Sequence, residues 1–212
     1  GYGTGAGLCG WNCRHSFFPY FEGLSERAYS REKLKEYETV KVTYNGQELS
    51  VYEASQQQRY IERQIRRWKR EYMAMDAAGA DTTEASVKLA QWRAKQKDFI
   101  NQTGLDEDNF RSQVYGFGRN QATKATWINK NYKKLVNDLR GIHTTTGVTI
   151  TDTSPHVMDQ ATARGVSNSD IIDALTNTLK TGKIRTDKSQ QFIGKHATVV
   201  INIDTGKVVT VW

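Results

Sequence analysis

Between Val51 and Ala78 the apolar residues Ile61, Ile65, Trp68, Tyr72 and Met75 step by four, three, four and three. That spacing makes one continuous stripe on a helix of 3.6 residues per turn, whereas a strand would split it between two faces. Ser50 and Glu53 have capping-box spacing at its start, and Gly79 ends it. The outer face carries Arg59, Arg63, Arg66, Arg67, Lys69 and Arg70. Such a face is either solvated surface or a contact for nucleic acid or an acidic partner protein. Arg63, Arg66, Arg67, Lys69 and Arg70 are the candidate nucleic-acid-binding residues.

The surrounding segments have their own periods. Val40, Val42 and Tyr44 alternate with Lys41 and Thr43, Asn45-Gly46 is a hairpin signal, and Leu49 and Val51 give the return strand. A second helix is expected from about Thr83, as its cap, to Gln102, with Val87, Ala90, Phe99 and Ile100 inward. A third runs from about Gln121 to Leu139 with Ala125, Ile128, Tyr132, Leu135 and Leu139 on one stripe. Gly116-Phe117-Gly118-Arg119 between them reads as a turn; a phosphate-binding loop would need a preceding strand.

At Gly141 to Asp152 the helical period stops, which marks the domain boundary. Ser154-Pro155 then opens a short helix that ends at Arg164 before Gly165. Ser167 or Ser169 caps another, with Ile171, Ile172, Leu175 and Leu179 inward. Phe192-Ile193, Ala197 to Ile203 and Val208 to Trp212 read as strands, the last two joined by a turn at Asp204-Thr205-Gly206. The fold class is therefore α+β: a mainly helical region with one β-hairpin over residues 1–140, then a small domain of two helices and an antiparallel sheet over residues 141–212.

Charge follows that division. The formal charge of the chain is +7; residues 1–140 carry 23 Lys and Arg against 17 Asp and Glu, while residues 141–212 carry 7 against 6. The basic excess thus belongs to the helical region. No apolar run of about 18 residues is present, so no membrane-spanning helix is expected. No basic-then-apolar leader is visible, and a start at Gly1 suggests a fragment or a processed product. Two prolines exclude a Pro-rich stalk, and two cysteines exclude a disulfide scaffold.

Gly1 to Gly10 holds five glycines and reads as an irregular segment, anchored onto a core by Phe17, Phe18, Tyr20 and Phe21. Cys9, Cys13 and His15 lie within seven residues, three of the four ligands that zinc takes. The alternatives are two small buried residues or a local disulfide. As a whole, GYGTGAGLCGWNCRHSFFPYFEG resembles the G-x-N-C-R-H region of tailed-phage minor capsid proteins of the minor capsid protein 2 type. Tyr52-Glu53-Ala54-Ser55-Gln56, Thr103-Gly104-Leu105 and Gly116-Phe117-Gly118-Arg119 extend the likeness to about residue 135. It implies a virion component with portal or capsid proteins as partners, and adds no catalytic residue.

Ser154-Pro155-His156, Arg164-Gly165-Val166, Asp170-Ile171-Ile172, Phe192-Ile193-Gly194-Lys195, Ala197 to Val200 and Thr205-Gly206-Lys207 through Thr210 resemble small toxin domains of the bacterial toxin 50 type. The resemblance implies an endoribonuclease of the barnase–EndoU–colicin–RelE-like class, with RNA as substrate, an immunity protein as partner and delivery to the host cytoplasm. Metal-free RNA cleavage needs an acid/base and cations for the phosphorane charge. His156, in the first turn of a helix, is the candidate acid/base, with Arg164 eight residues on along the same face. Lys195 is the second cation, and Thr198 and Thr210 are candidate positioning groups; no cofactor is expected for this chemistry. Toxin domains of this type usually continue past the last strand, whereas this chain stops at Trp212. The rival expectation is a purely structural virion protein, with a degenerate C-terminal module and a basic helix set against DNA or neighbouring virion proteins.

Overall fold

The computed structural model describes residues 4–5, 7–11, 13, 17 and 19–212, with Glu38 described by its backbone. Helix α1 (Arg31–Thr39), not anticipated from the sequence, is capped by Ser30, whose Oγ accepts from the Lys33 amide at 3.1 Å. Strands β1 (Lys41–Tyr44) and β2 (Gln47–Ser50) form the expected hairpin, Val42 opposite Leu49. Both turn residues, Asn45 and Gly46, have positive φ (51° and 77°), as a two-residue turn matched to strand twist requires.

Helix α2 (Val51–Ala77) leaves β2 without a connector. The Ser50 hydroxyl accepts from the Glu53 amide and the Glu53 carboxylate accepts from the Ser50 amide, so the capping box is formed. Val51 is thus the first helical residue rather than the end of the return strand. Helix α3 (Thr83–Thr103) packs along α2. Its first amide, Thr83 N, donates to Asp81 Oδ1 at 2.7 Å, so an aspartate two residues upstream takes the role expected of Thr83. A 3-10 turn over Asn109–Ser112 and helix α4 (Arg119–Leu139) complete the region. Ile61, Ile65, Tyr72, Leu89, Phe99, Ala125 and Ile128 are the centre of its core.

The C-terminal unit contains β3 (Asp152–Thr153), α5 (Pro155–Arg164), α6 (Asn168–Thr176), β4 (Lys180–Thr181), β5 (Ser189–Ile193), β6 (Thr198–Asn202) and β7 (Lys207–Val211). The five strands run in the order β3-β7-β6-β5-β4. All neighbours are antiparallel except β3 and β7, which are parallel. The sheet is therefore mixed, because the chain lays down an edge strand before the helices and returns beside it at the end. Helix α6 stops at Thr176, and Leu179, expected inward, is 72% exposed. Its amide donates to the Ile193 carbonyl at 2.8 Å, so the chain has already turned toward β5.

Val157, Ala161, Ile171, Leu175, Phe192, Val199, Ile201, Val208 and Val211 form the second core. Leu135 and Leu139 of α4 belong to it, whereas Ala125 and Ile128 belong to the first. Helix α4 therefore serves both cores. The Tyr132 hydroxyl donates to the Thr153 carbonyl at 2.5 Å and ties α4 to β3. Among the described residues no helix is long and apolar enough to cross a membrane.

Candidate anion-binding face and the His156 pocket

Arg63, Arg67 and Arg70 are exposed. Spaced by four and three, they make one row on α2. Arg63 lies over the Tyr60 ring at 5.9 Å and Arg67 over the Trp68 ring at 5.2 Å, so aromatic faces hold two of the guanidiniums in place. Arg67 Nε is also 4.0 Å from Glu71 Oε1.

Lys69 and Arg66 are placed differently from the outer face expected of them. Lys69 is 8% exposed; its Nζ donates to the Ser112 carbonyl at 2.7 Å and lies 5.5 Å from the Phe117 ring centre. Burial holds its ammonium below the usual lysine range, and the Arg93 charge adds to that. The reason is its register: Ile65, Lys69 and Tyr72 step by four and three, so Lys69 is in the apolar row. Arg66 is half-buried and donates through Nη1 to the Arg111 carbonyl.

The same inward row contains Gln58 and Glu62. Gln58 Nε2 donates to the Asp106 carbonyl at 2.8 Å. Glu62, between these occupied neighbours, is 1% exposed, and its Oε1 has no hydrogen-bond partner among the described residues. Burial raises its carboxyl above the usual range, against the opposing charges of Arg111, Arg66 and Arg59. Beside it is a cavity of about 140 Å³ lined by Arg59, Glu62, Arg63, Arg66 and Arg111. Arg59, Glu62 and Arg111 were not singled out as a group by the sequence. Arg111 is distant in the chain, and the 3-10 turn that presents it has no periodic signal.

A second pocket, about 500 Å³, lies where the α2–α3 loop meets the start of α5. His156 lines it with Asp81, Tyr132, Asp152 and Lys207. Ligand atoms of Asp81, His156 and Asp159 lie within 4.8 Å of one another, a donor set of one imidazole and two carboxylates that suits a divalent transition cation. Burial, then the Asp81 charge, raises the Asp159 carboxyl, and His156 opposes this.

The other candidate catalytic residues are not in this pocket. Arg164 is the last residue of α5, about 12 Å along the helix axis from His156. Its Nη1 donates to the Val211 carbonyl at 2.6 Å and pins the helix end to β7. Lys195 is exposed in the β5–β6 turn, at the end of the sheet where Thr198 pairs with Trp212. His156 is at the opposite end, where Ser154 N donates to the Val208 carbonyl. Val199 and Val211 face the helical core. By strand alternation Thr198 and Thr210 point to the other sheet face. Gly194, before Lys195, has a packing reason of its own: a Cβ there would lie 2.6 Å from Ala174 Cα in α6.

In the N-terminal segment, Cys9 is exposed with φ 61° and Cys13 is half-buried. His15, the third candidate zinc ligand, lies outside the described residues.

Residues 1–101 match the family model described as phage minor capsid protein 2. The chain is 37% identical over 117 residues to a structural protein of Lactococcus phage mv4, an alignment covering 54% of this chain and 82% of that protein. It is 31% identical over 132 residues to a structural protein of Lactococcus phage LL-H, covering 61% of this chain and 30% of that protein. No solved structure matches the chain. Its relatives are thus phage structural proteins. The chain belongs to the phage minor capsid protein 2 family.

Proposed function

We propose that the chain is a structural component of the virion, seated among portal or capsid proteins, with the exposed arginine row of α2 turned toward packaged DNA. The observation that carries this reading is the row itself: Arg63, Arg67 and Arg70 project from one face of a helix whose opposite face is packed into a core. Fixed cations on a rigid helix neutralise phosphates without first having to be ordered. Fluorescence anisotropy with a 30-base-pair duplex across a salt series tests it. Three phosphate contacts give a slope of log K against log salt of about −3. The triple variant Arg63→Gln, Arg67→Gln, Arg70→Gln flattens that slope; a flat wild-type profile, or one that the variant leaves unchanged, rejects the reading.

The endoribonuclease reading of residues 141–212 is supported by the sequence resemblance to toxin domains, and it asks for His156, Arg164 and Lys195 around one phosphate. The structural reading is better supported because the Arg164 guanidinium is engaged with a backbone carbonyl, while His156 lies among carboxylates at the other end of α5. No RNA decay above background is expected when the protein is incubated with total RNA. Decay that His156→Ala abolishes would restore the catalytic reading, together with its RNA substrate and immunity partner.

A further inference from the structure

We propose that the cavity lined by Arg59, Glu62, Arg63, Arg66 and Arg111 is an oxyanion site that takes one backbone phosphate of a nucleic-acid strand running along the α2 arginine row. The inference rests on the DNA-facing reading above and names a site within it. The cavity of about 140 Å³ has room for a phosphate group, since a single water needs only about 10–15 Å³ of such space. Four guanidiniums line it. Two carboxylates oppose them: Glu62, and Asp108, whose Oδ2 is 2.9 Å from Arg111 Nε. A surplus of positive charge remains even with both ionised.

The interior also has bonds left to make. Among the described residues, Glu62 Oε1 and Arg59 Nε are both buried without a hydrogen-bond partner. Buried polar atoms are nearly always paired, so the unpaired Arg59 donor in a small arginine-lined cavity points to an acceptor group that completes it, with the Glu62 carboxylate opposing part of the positive charge. A phosphate does so: guanidinium N–H groups donate to its oxygens. Arg63 belongs both to the cavity and to the exposed row, so the site is continuous with a track of cations. A single partner carboxylate would fill the cavity and leave Arg67 and Arg70 without ligands; a nucleic-acid strand supplies a phosphate to each.

The test uses the full chain with two probes, inorganic phosphate by calorimetry and the 30-base-pair duplex by anisotropy. Arg59→Gln and, separately, Arg111→Gln are expected to abolish phosphate binding and to weaken duplex binding about tenfold. Each should reduce the salt slope by about 0.9, the share of one phosphate. Glu62→Gln, which removes a negative neighbour at constant shape, is expected to tighten both probes severalfold. Circular dichroism confirms that each variant is folded, and Arg59→Gln, whose guanidinium makes no ion pair among the described residues, guards against a folding defect in Arg111→Gln. If Arg67→Gln and Arg70→Gln weaken duplex binding while Arg59→Gln and Arg111→Gln do not, the cavity site is overturned and the DNA-facing row stands. If wild type binds phosphate, Arg59→Gln does not, and no duplex binds, the ligand is free phosphate and both the strand and the DNA reading fall. Polyglutamate competing with phosphate as strongly as duplex does overturns the phosphate assignment in favour of an acidic protein.

Discussion

Glu62 shows how much one unpaired carboxyl costs this chain. It is 1% exposed beside Arg66 and Arg111, yet its Oε1 accepts no hydrogen bond from the described residues. Burial raises its carboxyl above the usual 4.5, so the folded state holds the proton to higher pH than the unfolded state. Its favourable contribution is therefore complete below about pH 4.5 and disappears as pH rises through the raised value. Glu62→Gln, which takes away a buried charge, should be more stable than wild type at pH 7, by about 1–3 kcal/mol, the scale of a desolvated polar group. The gap should close toward pH 4. Urea unfolding at both values measures it, and a less stable variant at pH 7 would mean that the arginines already satisfy the charge. The sequence did not expose this residue. Gln58, Glu62 and Lys69 are polar, and periodicity read from apolar residues alone puts them outside. They are buried because residues 105–112 lie over that row and receive Gln58 and Lys69 at backbone carbonyls.

At the scale of elements, what could be read was what repeats. Helices α2, α3 and α4, the Asn45-Gly46 hairpin and the Ser50–Glu53 box were all legible because each spans enough residues to show a period or a cap. Strands β3 and β4 have two residues each, too short for any period, and they are the ones missed. The end of α6 is hidden for a related reason: Leu179 fits a helical stripe, but its amide donates to the Ile193 carbonyl. Only pairing with a distant strand decides that. In the Gly194-Lys195 dipeptide the lysine is the chemically conspicuous residue, whereas the packing falls on the glycine. Gly194→Ala would drive a Cβ to 2.6 Å from Ala174 Cα and 2.7 Å from its Cβ, against a helix backbone that cannot swing aside. The expected cost is about 1–3 kcal/mol, as for other overpacked sites. Lys195→Ala should change stability by less than about 0.5 kcal/mol. Thermal melts of the two variants, with Gly194→Ala no less stable than wild type, would remove the close approach from the account.

For the whole molecule, the division drawn at residue 140 marks where the pattern changes, while the second core extends further back. Leu135 and Leu139 are 3% and 0% exposed and form one wall of that core. Residues 141–212 expressed alone should lack a cooperative thermal transition, because the apolar sheet-and-helix layer is left open on that side. In the full chain Leu139→Ala should cost about 2–5 kcal/mol. A sharp melt from the isolated segment would mean that α4 covers the unit without completing it. The mixed sheet has a further consequence, for the order of events as the chain is made. Thr151 bonds to Thr205 across 54 positions, and β3 beside it pairs with β7. On a ribosome, β3 emerges early and has no partner until β7 follows. The antiparallel run β5–β6–β7 can assemble by short closures, whereas β3 must wait for a long one. The edge that anchors Tyr132 is therefore the last to close during synthesis.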